Sequence, residues 1–479
     1  MNFLIVLLFI SYYVTQYQLF SVSTYGVSGV DFFLLLIYIL FFKHAFADSM
    51  EFRTAWKPHL VFFFVLMLAS VLSGLYPVMS GNPVMNAQFF KSCVHFIFLL
   101  LFPALMVFYP VKPATWTAVV RIWLIIGIII NSYAVYQIFA RAYDLPLAWI
   151  DYTNISIVSR NAELIEDYRQ LALRFEDFYR ATSIFSEPSA LAVFNQYMLV
   201  FMAVPYAQNR KMFFESRILN VVMVITTILG MFFAFSLTGV LGAFVIISLI
   251  VFIEFNKRVL KILSFVGIAL IFIVIADLIV EPYINISVRE LFTKRISGIY
   301  SRSSGRGEDI DGESFFGRAS NAGVSVSVAM VNPVTGVGIG NFGNITNDES
   351  VGFSEFTALN AFAETGMIGG VSYVLYFAFL FFTTGSYLYR KKKLSGLAES
   401  DQRLAGITFY IIIIQIIINF ITGNNFISHW SWLPLAMIHS IINSTELLSG
   451  APSYKFTILS IPAGKIFRSY IDGFRRNKE

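Results

Sequence analysis

Residues 218–255 read ILNVVMVITTILGMFFAFSLTGVLGAFVIISLIVFIEF, with Glu254 the only ionisable side chain among them. A single helix of that length would run about 57 Å at 1.5 Å per residue. The hydrocarbon core of a bilayer is only about 30 Å thick and is crossed by about 20 apolar residues. The stretch is therefore two helices, and Ser236-Leu237-Thr238-Gly239 supplies the hairpin between them. A chain with such a hairpin sits in a membrane, and its architecture follows from how often the pattern recurs.

The composition agrees with that reading. Hydrophobic residues make up 57% of the 479 residues and charged residues 13%, against about 45–50% and about 25% in soluble domains. These values exclude a soluble globular enzyme and a disordered chain. An outer-membrane barrel is excluded as well, because its strands alternate apolar and polar residues and the apolar runs here are continuous. The fold class is an all-α polytopic membrane protein. The single cysteine, Cys93, forbids an intramolecular disulfide. The first apolar run, Phe3–Ile10, lacks a basic lead and a small-residue cleavage site, so it reads as a span and not as a signal peptide.

Applying the length rule to the whole sequence predicts twelve spans, near 2–20, 28–46, 59–76, 90–109, 115–140, 188–207, 218–235, 239–256, 260–280, 366–389, 404–422 and 428–446. Short loops carry the orientation signal, because Lys and Arg are retained on the cytoplasmic side. Lys43, Arg53 and Lys57 follow span two, and Lys112 follows span four. Arg210, Lys211 and Arg217 follow span six; Lys257, Arg258 and Lys261 follow span eight. Arg390–Lys393 follow span ten, and Lys455, Lys465, Arg468, Arg475, Arg476 and Lys478 lie beyond span twelve. Every cluster follows an even-numbered span, so both termini are expected in the cytoplasm. Residues 1–447 then form a helix bundle, with large outer loops at 141–187 and 281–357. Residues 448–479 form a basic amphipathic cytoplasmic tail.

The outer loops are rich in arginine. The first holds Arg160, Arg169, Arg174 and Arg180, the second Arg289, Arg295, Arg302, Arg306 and Arg318, against one lysine, Lys294. Guanidinium is planar, permanently charged and binds phosphate through two parallel hydrogen bonds. The same residues also read as solvated loop charges paired with nearby Asp and Glu. Asn161–Phe178 predicts an amphipathic helix, with Leu164, Tyr168, Leu171, Phe175 and Phe178 at three- and four-residue steps. Arg180 and Glu187 precede Pro188, which suits the first turn of span six.

The second loop ends in Gly336-Val337-Gly338-Ile339-Gly340-Asn341-Phe342-Gly343, a tight turn that exposes its backbone. It is no dinucleotide fingerprint, since no strand precedes it. Asn360 and Glu364 follow, one helical turn apart, at the start of span ten. Polar residues at that depth are functional candidates by default, and the plainer reading is that they cap and pack a helix. His44, His59, His95, His429 and His439 form no HxxxH or Cys/His array. Metal ligation is therefore not expected from spacing, and no cofactor is expected. A nucleotide-binding loop and a GxSxG nucleophile motif are missing as well.

At these residues the sequence resembles the O-antigen polymerase and ligase superfamily. The likeness rests on Arg180 before Pro188; on Arg318 followed by Pro333, Gly336, Gly338 and Phe342; and on Asn360 with Glu364, Gly366 and Gly369. Ligases typically carry a histidine before that Asn. This chain has Leu359, which points to a Wzy-type polymerase. The resemblance implies a metal-independent, inverting glycosyltransferase of the membrane-embedded C type in the bacterial inner membrane. It joins undecaprenyl-diphosphate-linked repeat units at the periplasmic face into O-antigen or a related polysaccharide. Arg180 and Arg318 would stabilise the departing pyrophosphate, and Glu187 or else Glu364 would act as base. Arg169, Arg174, Arg295, Arg302, Arg306 and Asn360 would bind substrate. The partners implied are lipid-linked glycans, membrane lipid and a Wzz-type chain-length-regulating co-polymerase, with no nucleic acid. A ligase to another acceptor, a lipid-linked glycan flippase and a non-enzymatic assembly protein are the rival readings.

Overall fold

The computed structural model describes residues 1–22, 25–47, 51–109, 111–151, 153–154, 170, 174–175, 178–284, 313–346, 356–389, 396–422, 427–450 and 454–457. The described chain is mostly helical. Eight of its helices are long and apolar enough to cross a membrane. They are Pro58–Ser80 (α3, Pro58–Leu72, continued by α4, Leu75–Ser80), Pro83–Phe108 (α5), Pro113–Ala142 (α6), Pro188–Ala207 (α7), Arg217–Ala234 (α8), Leu237–Glu254 (α9), Thr357–Tyr389 (α13) and Glu399–Phe420 (α14, Glu399–Ile417, with the first residues of a π turn, Ile418–Thr422). Further helices are Asn2–Ser11 (α1), Gly29–Ala47 (α2), Lys257–Ile284 (α10), Glu313–Val331 (α11), Phe342–Thr346 (α12) and His429–Leu448 (α15).

The helix starts follow local chemistry. Pro58, Pro83, Pro113 and Pro188 open α3, α5, α6 and α7, where a missing N–H costs nothing. Asn82 caps α5 by accepting from the Val84 and Met85 amides, and Ser428 caps α15 by accepting from Trp430. The two helices expected in 218–255 form, but the turn falls at Phe235 and Ser236, and Leu237, Thr238 and Gly239, expected in the turn, open α9.

Helices distant in the chain close the bundle. α3 lies along α13, α5 along α15, α6 along α8, and α7 along both α8 and α9. In a membrane, close packing and interhelical hydrogen bonds hold helices together. Gly230 of α8 shows both, since its Cα faces the Asn131–Asn195 pair, in which Asn131 Nδ2 donates to Asn195 Oδ1 at 2.8 Å. Buried indoles find acceptors: Trp123 donates to the Phe9 carbonyl at 2.9 Å and Trp116 to Ser440 Oγ at 2.9 Å.

Three expectations change. The first span does not run as one helix over 2–20. α1 ends at Ser11, a 3-10 turn covers Tyr12–Val14, and Gln18–Val22 (β1) pairs antiparallel with Tyr25–Ser28 (β2). Thr15 and Gln16 are buried beyond α1, and Gln16 donates to the Ile184 carbonyl, so these polar groups are satisfied by leaving the helix. The expected helix to Phe178 is also overturned at its end. Arg174–Phe175 (β4) and Phe178–Tyr179 (β5) form a short antiparallel hairpin, which suits their aromatic residues. Residues 161–169 and 171–173 lie outside the described residues. The tail, finally, is not wholly free of the bundle. Tyr454–Thr457 (β6) pairs antiparallel with Glu51–Thr54 (β3), the segment before α3. The Ala55 amide beside it donates to Asn443 Oδ1 of α15 at 3.1 Å. The expected amphipathic stretch from Lys465 to Arg476 lies outside the described residues.

Candidate functional site

The segment that carries Arg180 is clamped by the last two turns of α6. Gln137 Oε1 accepts from the Thr182 amide at 3.0 Å and the Ser183 amide at 2.7 Å. Its Nε2 donates to Gln170 Oε1 at 2.8 Å. Four residues on, Arg141 donates from Nε to the Ala148 carbonyl at 3.0 Å, and from Nη2 to Gln170 Oε1 at 2.7 Å and Thr182 Oγ1 at 2.8 Å. Its Nη1 donates to the Arg180 carbonyl, and its guanidinium sits 4.2 Å from the centre of the Trp149 ring. From the other side, the Ala181 amide donates to the Phe233 carbonyl at the end of α8, at 2.9 Å. Ser183, at φ 52°, donates from Oγ to the Ile130 carbonyl at 2.7 Å. Residues 180–183 thus have one backbone geometry, and buried Arg180 is held in place by it.

Arg141 is the centre of this clamp, and a reading that ends the fifth span at 140 leaves it among the loop charges. Removing it strips a donor from four buried acceptors, each worth about 1–3 kcal/mol when water cannot replace the partner. Arg141→Ala is expected to destabilise the protein by at least about 3 kcal/mol, read as a lowered melting temperature in detergent. Arg141→Lys should recover little of it, because an ammonium cannot span the fork. An Arg141→Ala protein that melts with the parent would remove the clamp from the account.

Glu187 occupies the N-cap position of α7 with its carboxylate exposed. Its carbonyl accepts from Ala190 at 3.2 Å, while its side chain makes no capping bond. Phe185 turns inward, and its ring lies 5.7 Å from that of Trp430 at the start of α15. The 180–187 segment therefore rests on α6, α8 and α15 together.

The glycine turn is the second part. Gly336, Gly338 and Gly340 all have positive φ, at 78°, 91° and 82°. The Val337 amide donates to the Ala363 carbonyl and the Gly338 amide to the Glu364 carbonyl, both at 3.0 Å. In return the Met367 amide donates to the Pro333 carbonyl at 2.7 Å. α13 supplies these groups because it kinks at Gly366, with φ 66° and ψ −169°. The kink takes carbonyls out of the helical ladder, and the turn satisfies them. Asn360 and Glu364 lie just before the kink, and both are buried. The expected tight turn is present, but it does not expose its backbone: residues 336–339 are buried, and the Val337 and Gly338 amides are taken up by the helix that carries Glu364.

Arg174 lies in β4 and Arg318 in α11, a helix that packs on α13. Arg160, Arg169, Arg295, Arg302 and Arg306 lie outside the described residues.

Sequence spacing gave no sign of the grouped histidines. His429 Nε2 is 3.1 Å from Asp31 Oδ1, and His95 Nε2 is 3.7 Å from the same oxygen. Deeper in the bundle, Tyr376 Oη is 2.7 Å from His439 Nε2, and the His59 ring lies 5.4 Å from the His439 ring. These groups come from positions between 63 and 398 residues apart, so no local motif could announce them.

No protein-family model matches the chain, and no curated protein matches it.

Proposed function

We propose that this chain is a membrane-embedded glycosyltransferase that polymerises undecaprenyl-diphosphate-linked repeat units. It works at the outer face of the bacterial inner membrane, with twelve spans and both termini in the cytoplasm. The observation that carries the reading is the clamped 180–187 segment. It presents an arginine on a fixed backbone and leaves an exposed carboxylate at the start of α7. In this reaction a hydroxyl oxygen on one repeat unit attacks the anomeric carbon of another. The bond from that carbon to the pyrophosphate oxygen breaks, and lipid pyrophosphate departs with the electron pair. Fixed cations stabilise the charge that grows there, and Arg180 and Arg318 are the residues assigned to it. The hydroxyl proton passes to a carboxylate, Glu187 first and Glu364 second. Arg169, Arg174, Arg295, Arg302, Arg306 and Asn360 are assigned to the remaining sugar and phosphate contacts. Lipid-linked substrates reach the site sideways between helices, and a Wzz-type co-polymerase is the partner expected to set chain length.

The direct test is incubation of the purified chain with a defined lipid-linked repeat, with products resolved on a ladder gel. A ladder supports the polymerase. A single transfer to a different acceptor would make the chain a ligase instead, and no transfer in active membranes would remove the enzyme reading. The topology has its own test. Gly312→Cys in a Cys93→Ala background is expected to react with a membrane-impermeant thiol reagent once the outer membrane is permeabilised. Labelling only after the inner membrane is broken would reverse the orientation drawn from the basic loops.

A further inference from the structure

We propose that Asp31, His95 and His429 form a binding site for a divalent transition-metal ion, with Zn2+ the first candidate. Asp31 lies in the first turn of α2, His95 in the middle of α5, and His429 begins α15. One donor atom from each lies within 4.8 Å of the other two. Ligand distances of about 2.0–2.2 Å around tetrahedral zinc place donor atoms about 3.3–3.6 Å apart. The two distances to Asp31 Oδ1, 3.1 and 3.7 Å, straddle that spacing. The two imidazole rings stand 5.7 Å apart at 61°, so their edges converge on the carboxylate without stacking.

The carboxylate is oriented as a ligand. Asp31 Oδ2 accepts from the Ser28 amide at 2.9 Å and from Ser28 Oγ at 2.7 Å. That leaves Oδ1 as the oxygen that meets both histidines. Hydrogen bonds of this kind to the outer atoms of a site fix the ligands around the ion. The Asp31 side chain is only 8% exposed, and a buried carboxylate is costly unless it is paired, hydrogen-bonded or bound to a metal. The His95 and His429 side chains keep 16% and 15% of their surface, while the His95 Nε2 donor itself is buried.

Two histidines and a carboxylate suit zinc and its neighbours in the transition series, and three protein donors leave a position for water. The ion would join three helices that are distant in sequence. Trp430, next to His429, packs on Phe185, so the site also braces the end of the bundle that carries the 180–187 segment. The inference does not depend on glycosyl transfer, because its test reads binding alone.

The experiment uses the full chain, purified in detergent without a histidine tag, stripped with a chelator and titrated with Zn2+. One zinc per chain is expected by elemental analysis, and Co2+ in its place should give the visible absorption of a four-coordinate site. Asp31→Asn, His95→Ala and His429→Ala should each weaken zinc binding by more than the roughly 10–100-fold typical of outer-shell changes. Ser28→Ala should weaken it by about 10-fold and, since it removes one buried hydroxyl and no ligand, keeps the test open if a ligand variant does not fold. His44→Ala should bind zinc like the parent. Parent protein without stoichiometric zinc would reduce the cluster to a hydrogen-bonded Asp–His group. Zinc retained in all three ligand variants would place the metal elsewhere. Either result overturns the proposal.

Discussion

Arg180→Ala and Arg318→Ala are each expected to lower polymerisation at least ~100-fold, the loss of about 2.7–4 kcal/mol that follows removal of one transition-state donor. The two residues come from different loops and stand on different kinds of structure. Arg180 belongs to the segment that Gln137 and Arg141 fasten, and Arg318 to α11, packed on α13. Under the proposed chemistry both meet the pyrophosphate. Lysine keeps the charge and loses the planar fork, so Arg→Lys should recover only part of the rate. Arg160→Ala, outside the assigned pair, should be mild by comparison. The measurement is the initial rate with a defined lipid-linked repeat, at matched expression and melting temperature. Near-parental rates in both alanine variants would return the outer arginines to ordinary loop charge.

The second large effect is structural. Gly336→Ala and Gly366→Ala are expected to disrupt the interlock between the glycine turn and α13. A Cβ on Gly336 would lie 2.4 Å from the carbonyl carbon and oxygen of Glu364, and one on Gly366 would lie 2.2 Å from the Val334 carbonyl oxygen. These are backbone atoms, which cannot rotate aside as a side chain can. Both glycines also have positive φ, a conformation that costs an L-residue about 1–2 kcal/mol before any contact is counted. Overpacking adds about 1–3 kcal/mol more. Each variant should melt markedly below the parent or fail to accumulate in the membrane. Gly396→Ala is the control, since its Cβ would meet nothing within 4 Å. If Gly336→Ala melted like Gly396→Ala, the interlock would not be a structural requirement.

The glycine turn was legible in the sequence because its information is local. Three glycines at alternate positions allow a backbone that other residues avoid, whatever lies nearby. Its partner was not legible, since the kink at Gly366 looks like any other glycine in an apolar helix. Glu187 was legible from its place before Pro188, and the reading put it correctly at the start of a helix, with Arg180 in the segment that leads into it. What fixes Arg180 was hidden, because Gln137 sits inside a run that hydropathy treats as uniform and Arg141 falls just past its end, among the loop charges. The end of the expected 161–178 helix failed for a related reason. Phe175 and Phe178 fit a three-residue step as well as they fit the two sides of a hairpin, and periodicity cannot separate the two over so short a run.

Alone, the amino-acid sequence determined that this protein belongs in a membrane, where most of its helices begin, and which loops concentrate arginine. Those properties depend on transfer of side chains out of water and on caps a few residues long, so they are written in consecutive residues. Only the tertiary structure decided that Asp31, His95 and His429 meet, that Arg141 holds the segment of Arg180, and that β6 returns to β3. Each of these joins residues from separate elements. Helix packing in a bilayer depends on small side-chain fits and single hydrogen bonds, and these appear in no local pattern until the helices are side by side.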